Sequence, residues 1–190
     1  METPDPTELA EIATDPFKTY CALLVSTLAL ILALNNLGGA NTGKEATMTN
    51  ILAANMYSFY QAKSIRQTEY KLAADRIEIE LATQKPSAQA SEMMQSKLAA
   101  YKKNIERYES EPETGDGKKE LMAKAKHLEE ERDLALRKDP WFDYAEGLLQ
   151  LAIVLTSVAI ISNRRAMFYA AIVLGFIGTA STLNGYFLFY

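Results

Sequence analysis

Three long apolar segments constrain this chain more than any other feature. They cover residues 17–37, 144–162 and 166–183. A helix rises about 1.5 Å per residue and the hydrocarbon core of a bilayer is about 30 Å thick, so roughly twenty apolar residues form one crossing. The sequence therefore predicts an all-α integral membrane protein with transmembrane helices at residues 17–37, 141–162 and 166–190.

Charged residues are concentrated outside these segments. Between Lys44 and Pro140 there are 17 basic and 17 acidic residues, whereas the apolar segments contain only Lys18 and Glu146, each near the start of its segment. We therefore predict one extramembrane helical module at residues 43–139. Its balanced charge argues against nucleic-acid binding, which requires a basic surface.

The sequence offers no signature of catalysis or metal binding. It contains one cysteine, Cys21, and one histidine, His127, so neither an internal disulfide nor a metal site is predicted. A phosphate-binding glycine loop, a paired-cysteine zinc spacing and a nucleophile elbow are all missing. We expect no enzymatic activity and no cofactor.

Residues 1–16 contain five acidic residues, three prolines and no base. This composition predicts a mostly disordered acidic tail. Because secretory signals begin with positive charge, the first apolar segment is expected to remain as a membrane anchor.

Three helices are predicted within the module. Glycines and asparagines at 35–41 favour a break after the first span, and Thr42 with Glu45 resembles a capping box that opens helix A, residues 43–84. Ser87 is expected to cap helix B, which runs to residue 110. A turn rich in glycine and proline, residues 111–117, precedes helix C at 118–138.

Helices B and C share an apolar spacing of alternating four and three residues. The positions are Met94, Leu98, Tyr101, Ile105 and Tyr108 in helix B, and Leu121, Ala125, Leu128, Arg132 and Ala135 in helix C. This spacing predicts that B and C form an antiparallel coiled-coil hairpin. Since helix C leads into the second span, helix A would then start and finish near the membrane, either by lying along the bilayer surface or by bending sharply.

The loop between the second and third spans indicates an orientation. It contains Arg164 and Arg165, and short loops rich in arginine favour the cytoplasmic side. This places the N-terminus in the cytoplasm, and the module and the C-terminus outside it.

Small residues follow one face of each predicted span. They are Ala22, Ser26, Ala29 and Ala33 in the first, Ala152, Thr156 and Ala159 in the second, and Ala171, Gly175, Gly178 and Thr182 in the third. Lipid provides little hydrophobic drive for helix association, so small residues that permit close approach indicate packing surfaces. The surfaces fit either packing within a three-helix unit or self-association.

Polar residues also collect near the ends of the spans. They are Asn35, Asn36, Glu146, Gln150 and Asn184. Because consecutive spans alternate in direction, these residues form a polar layer toward one membrane face. The layer fits an ion or proton pathway, but Glu146 lies in the first helical turn, where the helix dipole also favours a carboxylate for purely structural reasons.

Two segments resemble a known family. Residues 55–67 (NMYSFYQAKSIRQ) and residues 148–161 (LLQLAIVLTSVAII), followed by Arg164 and Arg165, resemble the bacterial membrane protein family called domain of unknown function 4337. The order of anchor, charged helices and terminal hairpin is also similar. The resemblance implies a bacterial inner-membrane protein and brings no assigned activity.

Within the first of these segments, several polar residues lie on or beside one helical face. They are Tyr60, Gln61, Lys63, Ser64 and Gln67. These residues either recognise a lipid headgroup or a partner subunit, or pack and form hydrogen bonds within the module.

Taken as a whole, the sequence predicts a non-enzymatic membrane scaffold or accessory subunit that acts through helix–helix association. Its expected partners are membrane lipids and either further copies of itself or a larger membrane complex. The alternative is an oligomeric ion channel or transporter that uses the polar layer.

Overall fold

The computed structural model describes residues 15–189, which form four α-helices and contain no strand. The helices are α1 (Pro16–Thr83), α2 (Ala88–Glu109), α3 (Lys118–Ser162) and α4 (Arg165–Phe187). The all-α prediction is therefore confirmed. The predicted acidic tail lies outside the described residues except for its last two positions.

Helices α1, α3 and α4 are each long and apolar enough to cross a membrane. Their most apolar 18-residue windows have mean hydropathies of 1.9, 1.8 and 1.7. The described residues divide into two compact units: unit 1 contains residues 15–46 and 133–189, and unit 2 contains Thr47–Arg132.

The predicted break at residues 35–41 is wrong, because α1 continues through it without interruption. Thr42, expected to cap helix A, lies inside α1, and its hydroxyl donates to the carbonyl of Gly38 at 3.0 Å. A Cβ placed on Gly38 would lie 2.5 Å from Cε1 of Phe142 and 2.7 Å from the hydroxyl of Tyr186. The glycine therefore serves close helix approach, and this packing overrides its low helix propensity.

Helix C and the second span are likewise one helix, α3, with Pro140 inside it. A proline in a helix interior removes one backbone donor and normally bends or breaks the helix. The sequence prediction separated helix C from the second span at this proline, whereas the structure continues the helix across it.

Unit 1 contains the beginning of α1, most of α3 and all of α4. Its apolar core centres on Leu28, Leu149 and Ala152. Helices α3 and α4 are joined by Asn163 and Arg164, and Asn163 adopts a left-handed backbone conformation (φ 50°). Asparagine is one of the few residues that tolerate this conformation, which explains how so short a connection reverses the chain.

In unit 2, α2 packs antiparallel to the distal part of α1. Lys102 Nζ lies 2.7 Å from Glu78 Oε1, the ring centroids of Tyr70 and Tyr101 are 5.5 Å apart, and the amide of Gln67 donates to the carbonyl oxygen of Ile105. From the Lys102–Glu78 pair to the Glu109–Gln67 pair, residue numbers rise along α2 and fall along α1, as antiparallel packing requires.

The first part of α3 also runs antiparallel to α1, nearer the start of unit 2. Tyr57 Oη donates to Glu129 Oε2 at 3.1 Å, and Arg132 Nη1 donates to Asn50 Oδ1 at 3.3 Å. Helices α2 and α3 therefore follow one another along α1 in the same direction.

These contacts do not confirm the predicted hairpin of helices B and C. Tyr101 and Ile105 were expected to face α3, but they contact Tyr70 and Gln67 of α1. The apolar faces were identified correctly, since Leu121 and Ala125 are buried, but their partner was not. The conclusion that helix A starts and finishes near the membrane depended on this hairpin and loses its basis.

The inward face of α1 in unit 2 repeats every seven residues. Ala53, Gln67 and Ala74 are 2%, 3% and 4% exposed, and Tyr60 completes the series as a half-buried residue. A repeat of seven residues is typical of coiled-coil packing.

Candidate functional site

A polar cluster lies in unit 2, where α1 meets the end of α2 and the start of α3. We call it the Gln67 junction, and it comprises Tyr60, Gln67, Glu109 and Lys118. The Gln67 amide nitrogen donates to the Ile105 carbonyl at 3.0 Å and to Glu109 Oε2 at 2.9 Å. Its carbonyl oxygen accepts from Lys118 Nζ at 3.0 Å. One buried amide therefore links three helical segments.

The charges of the junction support the same arrangement. Lys118 Nζ lies 3.3 Å from Glu109 Oε2 and 5.4 Å from the centroid of the Tyr60 ring. The hydrogen bond from Gln67, followed by that from Lys118, lowers the pKa of the Glu109 carboxyl. Glu109 therefore remains ionised at neutral pH and holds the lysine between the helices.

Two further groups of unit 2 have shifted pKa values. The hydroxyl of Ser110 donates to Glu120 at 2.6 Å and lowers the pKa of that carboxyl. Desolvation, reinforced by the hydrogen bond to Glu129, raises the pKa of Tyr57. With these pKa shifts, the Glu120 carboxyl stays ionised and the Tyr57 hydroxyl stays protonated at neutral pH, as expected for contacts that hold helices together.

The five polar residues predicted on helix A are not all brought together. Tyr60 and Gln67 belong to the junction, and Lys63 Nζ lies 5.8 Å from the Tyr108 ring. Gln61 is exposed and Ser64 is half-buried. Sequence analysis did not identify Glu109 and Lys118. Nothing in the apolar spacing marks the last residue of α2 and the first residue of α3 as partners of α1.

A second polar cluster lies in unit 1 around Asn35, which is 1% exposed. The Asn35 amide nitrogen donates to the Phe142 carbonyl at 2.9 Å, and its carbonyl oxygen accepts from Thr182 Oγ1 at 3.0 Å. Asn35 therefore joins α1 to both α3 and α4. Bonds of this kind hold helices together where water is scarce.

Two more side chains extend these connections. Ser181 Oγ donates to the Trp141 carbonyl at 2.8 Å, and Tyr186 Oη donates to the Leu34 carbonyl at 2.8 Å. Of these residues, the sequence identified Asn35 as polar and Thr182 as small. Ser181 and Tyr186 carried no signal, because a hydroxyl that bonds to a carbonyl on another helix leaves no periodic pattern.

An acidic cleft of about 260 Å³ lies beside Asn35 in unit 1. Its polar lining residues are Asn35, Asn36, Asp139, Asp143 and Glu146. Three of the five predicted polar-layer residues thus share one cleft.

The remaining polar-layer residues are placed differently. Gln150 is linked to the acidic cleft through its hydrogen bond to Glu146 at 2.9 Å, whereas Asn184 is buried on α4 and does not line the cleft. Within residues 15–189, no group of three or more His, Cys, Asp or Glu side chains is placed to hold a metal ion.

The predicted small-residue surfaces of the second and third spans are packing surfaces inside unit 1. Ala152, Thr156, Ala159 and Ala171 are fully buried. A Cβ on Gly175 would lie 2.6 Å from Cδ2 of Leu28, and one on Gly178 would lie 2.9 Å from Cγ of Leu149. Both glycines therefore permit close contact with larger side chains of neighbouring helices.

The small-residue surface predicted on the first span is not used in this packing. Its members are all exposed: Ala22, Ser26, Ala29 and Ala33. The buried residues are instead Cys21, Leu28 and Asn35, which follow one another at seven-residue intervals. In this helix, periodicity identifies the packing face better than residue size does.

Comparison with known proteins identifies a family. The family model described as Domain of unknown function (DUF4337) matches residues 17–188. No curated protein and no solved structure matches the chain.

Proposed function

The chain belongs to the DUF4337 family, and we propose that it is a non-enzymatic integral membrane protein that acts as a scaffold or accessory subunit through helix–helix association. Three helices long and apolar enough to cross a membrane support the membrane assignment. Interhelical contacts made by small residues and polar side chains support the role of helix association.

The observation that best supports this proposal is that unit 2 leaves large apolar side chains exposed. Helix α2 contains no buried residue, and large apolar side chains of α1, including Met48 and Phe59, are 57% and 58% exposed. Exposed apolar surface of this kind marks interaction sites in proteins. A structure that leaves so much apolar surface uncovered is suited to binding further helices.

The proposed location is the bacterial inner membrane, with membrane lipids around α1, α3 and α4. Arg164 and Arg165 in the short α3–α4 connection favour a cytoplasmic position for that connection. The N-terminus would then be cytoplasmic and the module around α2 periplasmic. Association occurs either with further copies or with a larger membrane complex.

Membrane extraction and sizing test the proposal. We expect the protein to stay with membranes washed in alkaline carbonate and to form, after mild solubilisation, particles that contain more than one 21.1 kDa chain or a stably bound partner. Release into the carbonate wash would contradict the membrane assignment. A monomer without a co-purifying partner would contradict the scaffold role.

The acidic cleft favours one alternative, an oligomeric ion channel or transporter. Asn35, Asn36 and Glu146 share that cleft, and ionisable groups within membrane spans often mark ion pathways. Purified protein in liposomes would then conduct ions, and Glu146→Gln would abolish the flux while the exposed Glu130→Gln would not. No flux from the unaltered protein would count against this alternative.

A further inference from the structure

Helix α1 carries a second seven-residue repeat, on the face opposite to its packing face. The positions are Ile51, Ser58, Ile65, Leu72 and Ile79. The first four each lie two residues before a position of the inward repeat, which places them about 200° around the helix, and Ile79 continues the series by one further heptad. We call this series the outward stripe.

The outward stripe is apolar where a packed helix is normally polar. Ile65, Leu72 and Ile79 are 62%, 64% and 62% exposed, and Ile51 is 51% exposed. A helix with one buried face normally places charged and polar residues on the opposite face. Ile65, Leu72 and Ile79 occupy three consecutive heptad positions and form an apolar surface that a second helix can cover.

The charges beside the stripe indicate which helix covers it. Glu69 and Arg76 are exposed and lie three residues before and four residues after Leu72, so both flank the same side of the stripe. In a parallel, in-register pair of α1 helices, residues from the same side of the stripe lie on opposite sides of the contact, so Glu69 would not meet the partner's Arg76. In an antiparallel pair centred on Leu72, Glu69 lies beside the partner's Arg76.

The apolar residues match in the same arrangement. Ile65 and Ile79 lie seven residues before and after Leu72. An antiparallel pair centred on Leu72 therefore places Ile65 beside the partner's Ile79 and brings the two Leu72 side chains together. One two-fold axis satisfies both the apolar residues and the charges, as in an isologous contact.

We propose that residues 61–83 of α1 bind the same segment of a second copy of this chain, antiparallel and centred on Leu72. The contact ends at residue 83 because α1 ends there. The two-fold axis at Leu72 then places its other end at residue 61. The inference rests on the proposed scaffold function and names the partner as the chain itself.

Disulfide crosslinking of the full chain tests the geometry. The native cysteine, Cys21, is replaced by alanine, and single cysteines are introduced as Leu72→Cys, Ile65→Cys and Ile79→Cys, with the exposed Lys71→Cys as control. Disulfides need Cα atoms within about 7 Å. We expect Leu72→Cys to form at least ten-fold more oxidised dimer than Lys71→Cys. Ile65→Cys and Ile79→Cys should crosslink when mixed but not when oxidised separately.

Other outcomes overturn the proposal. Efficient separate crosslinking of both Ile65→Cys and Ile79→Cys would show a parallel contact. No crosslinking above the control, in chains whose far-UV circular dichroism is unchanged, would show that the stripe is not a self-contact. If such chains still formed larger particles, the scaffold function would stand while this surface failed.

Charge reversal provides an independent test. Glu69→Arg should reduce the Leu72→Cys dimer several-fold, because it places a second positive charge beside the partner's Arg76. Adding Arg76→Glu restores opposite charges in the antiparallel arrangement and should recover the dimer. A double variant no better than the single one would contradict the proposed pairing.

Discussion

At the scale of single residues, two buried amides have the same role. Asn35 and Gln67 are 1% and 3% exposed, and each donates to a backbone carbonyl of a neighbouring helix. A buried amide without partners costs free energy, whereas a satisfied one fixes the relative position of the helices that it joins. Asn35 does this in unit 1 and Gln67 in unit 2.

Replacing Gln67 should therefore destabilise unit 2. Gln67→Ala removes three hydrogen bonds and leaves Lys118 and Glu109 with one partner fewer, which we expect to lower the free energy of unfolding by about 1–3 kcal/mol. Denaturant titration followed by far-UV circular dichroism measures the change. The exposed Gln61→Ala should stay within about 0.5 kcal/mol of the original, and an equally small effect of Gln67→Ala would contradict the junction.

The carboxyl of Glu109 gives a pH dependence of known sign. Its pKa in the folded chain lies below the ordinary value because of the hydrogen bonds from Gln67 and Lys118. A carboxyl whose pKa is lower in the folded chain than in the unfolded chain stabilises the fold at pH values above the unfolded-chain pKa, about 4.3. That stabilisation is lost as the pH falls through the pKa of the folded chain.

We expect the junction to weaken below about pH 4.5 and Glu109→Gln to flatten that part of the profile. Thermal unfolding between pH 3 and pH 7 measures this, with the exposed Glu106→Gln as control. Identical profiles for Glu109→Gln and the original chain would show that the carboxyl does not contribute.

At the scale of whole helices, the sequence predicted which face of a helix is buried better than it predicted which helix packs against that face. The four-and-three spacing correctly selected Leu121 and Ala125 as buried residues. It could not select α1 as the partner of α2, because an apolar stripe of given period fits any helix with the same period. That ambiguity led to the predicted hairpin of helices B and C, which the structure does not confirm.

Helix boundaries show a related limit. The ends at Thr83 and Ser87 were predicted within one residue, since Pro86 and the serine cap act locally. The break at Gly38 was predicted and is missing, because the contact of that glycine with Phe142 depends on a residue about a hundred positions away. Local chemistry is visible in sequence, and distant packing is not.

Two glycines of long helices should respond to alanine in opposite ways. Gly38→Ala places a Cβ 2.5 Å from the Phe142 ring, whereas a Cβ on Gly147 meets no atom within 4 Å. We expect Gly38→Ala to cost about 1–3 kcal/mol through overpacking. Gly147→Ala should stabilise α3 by about 0.5–1 kcal/mol, because alanine restricts the unfolded chain. Thermal unfolding in one detergent compares them, and equal effects would contradict the close approach at Gly38.

At the scale of the whole molecule, the proposed topology depends on three helices that are long and apolar enough to cross a membrane. If α1, α3 and α4 each cross once, the two ends of α3 lie on opposite sides of the membrane. The turn that precedes α3 contains Glu113, and α3 ends at Ser162, both of which are exposed. These two positions therefore report on the proposed topology.

Cysteine labelling of intact cells measures that topology. In a chain with Cys21→Ala, Glu113→Cys should react with a membrane-impermeant maleimide applied from the periplasmic side, and Ser162→Cys should react only after the membrane is permeabilised. Both cysteines must react in detergent, which controls for local burial. The reverse pattern would invert the orientation drawn from Arg164 and Arg165. Reaction of both from one side would show that α3 does not cross, and the integral membrane assignment would need a different set of spans.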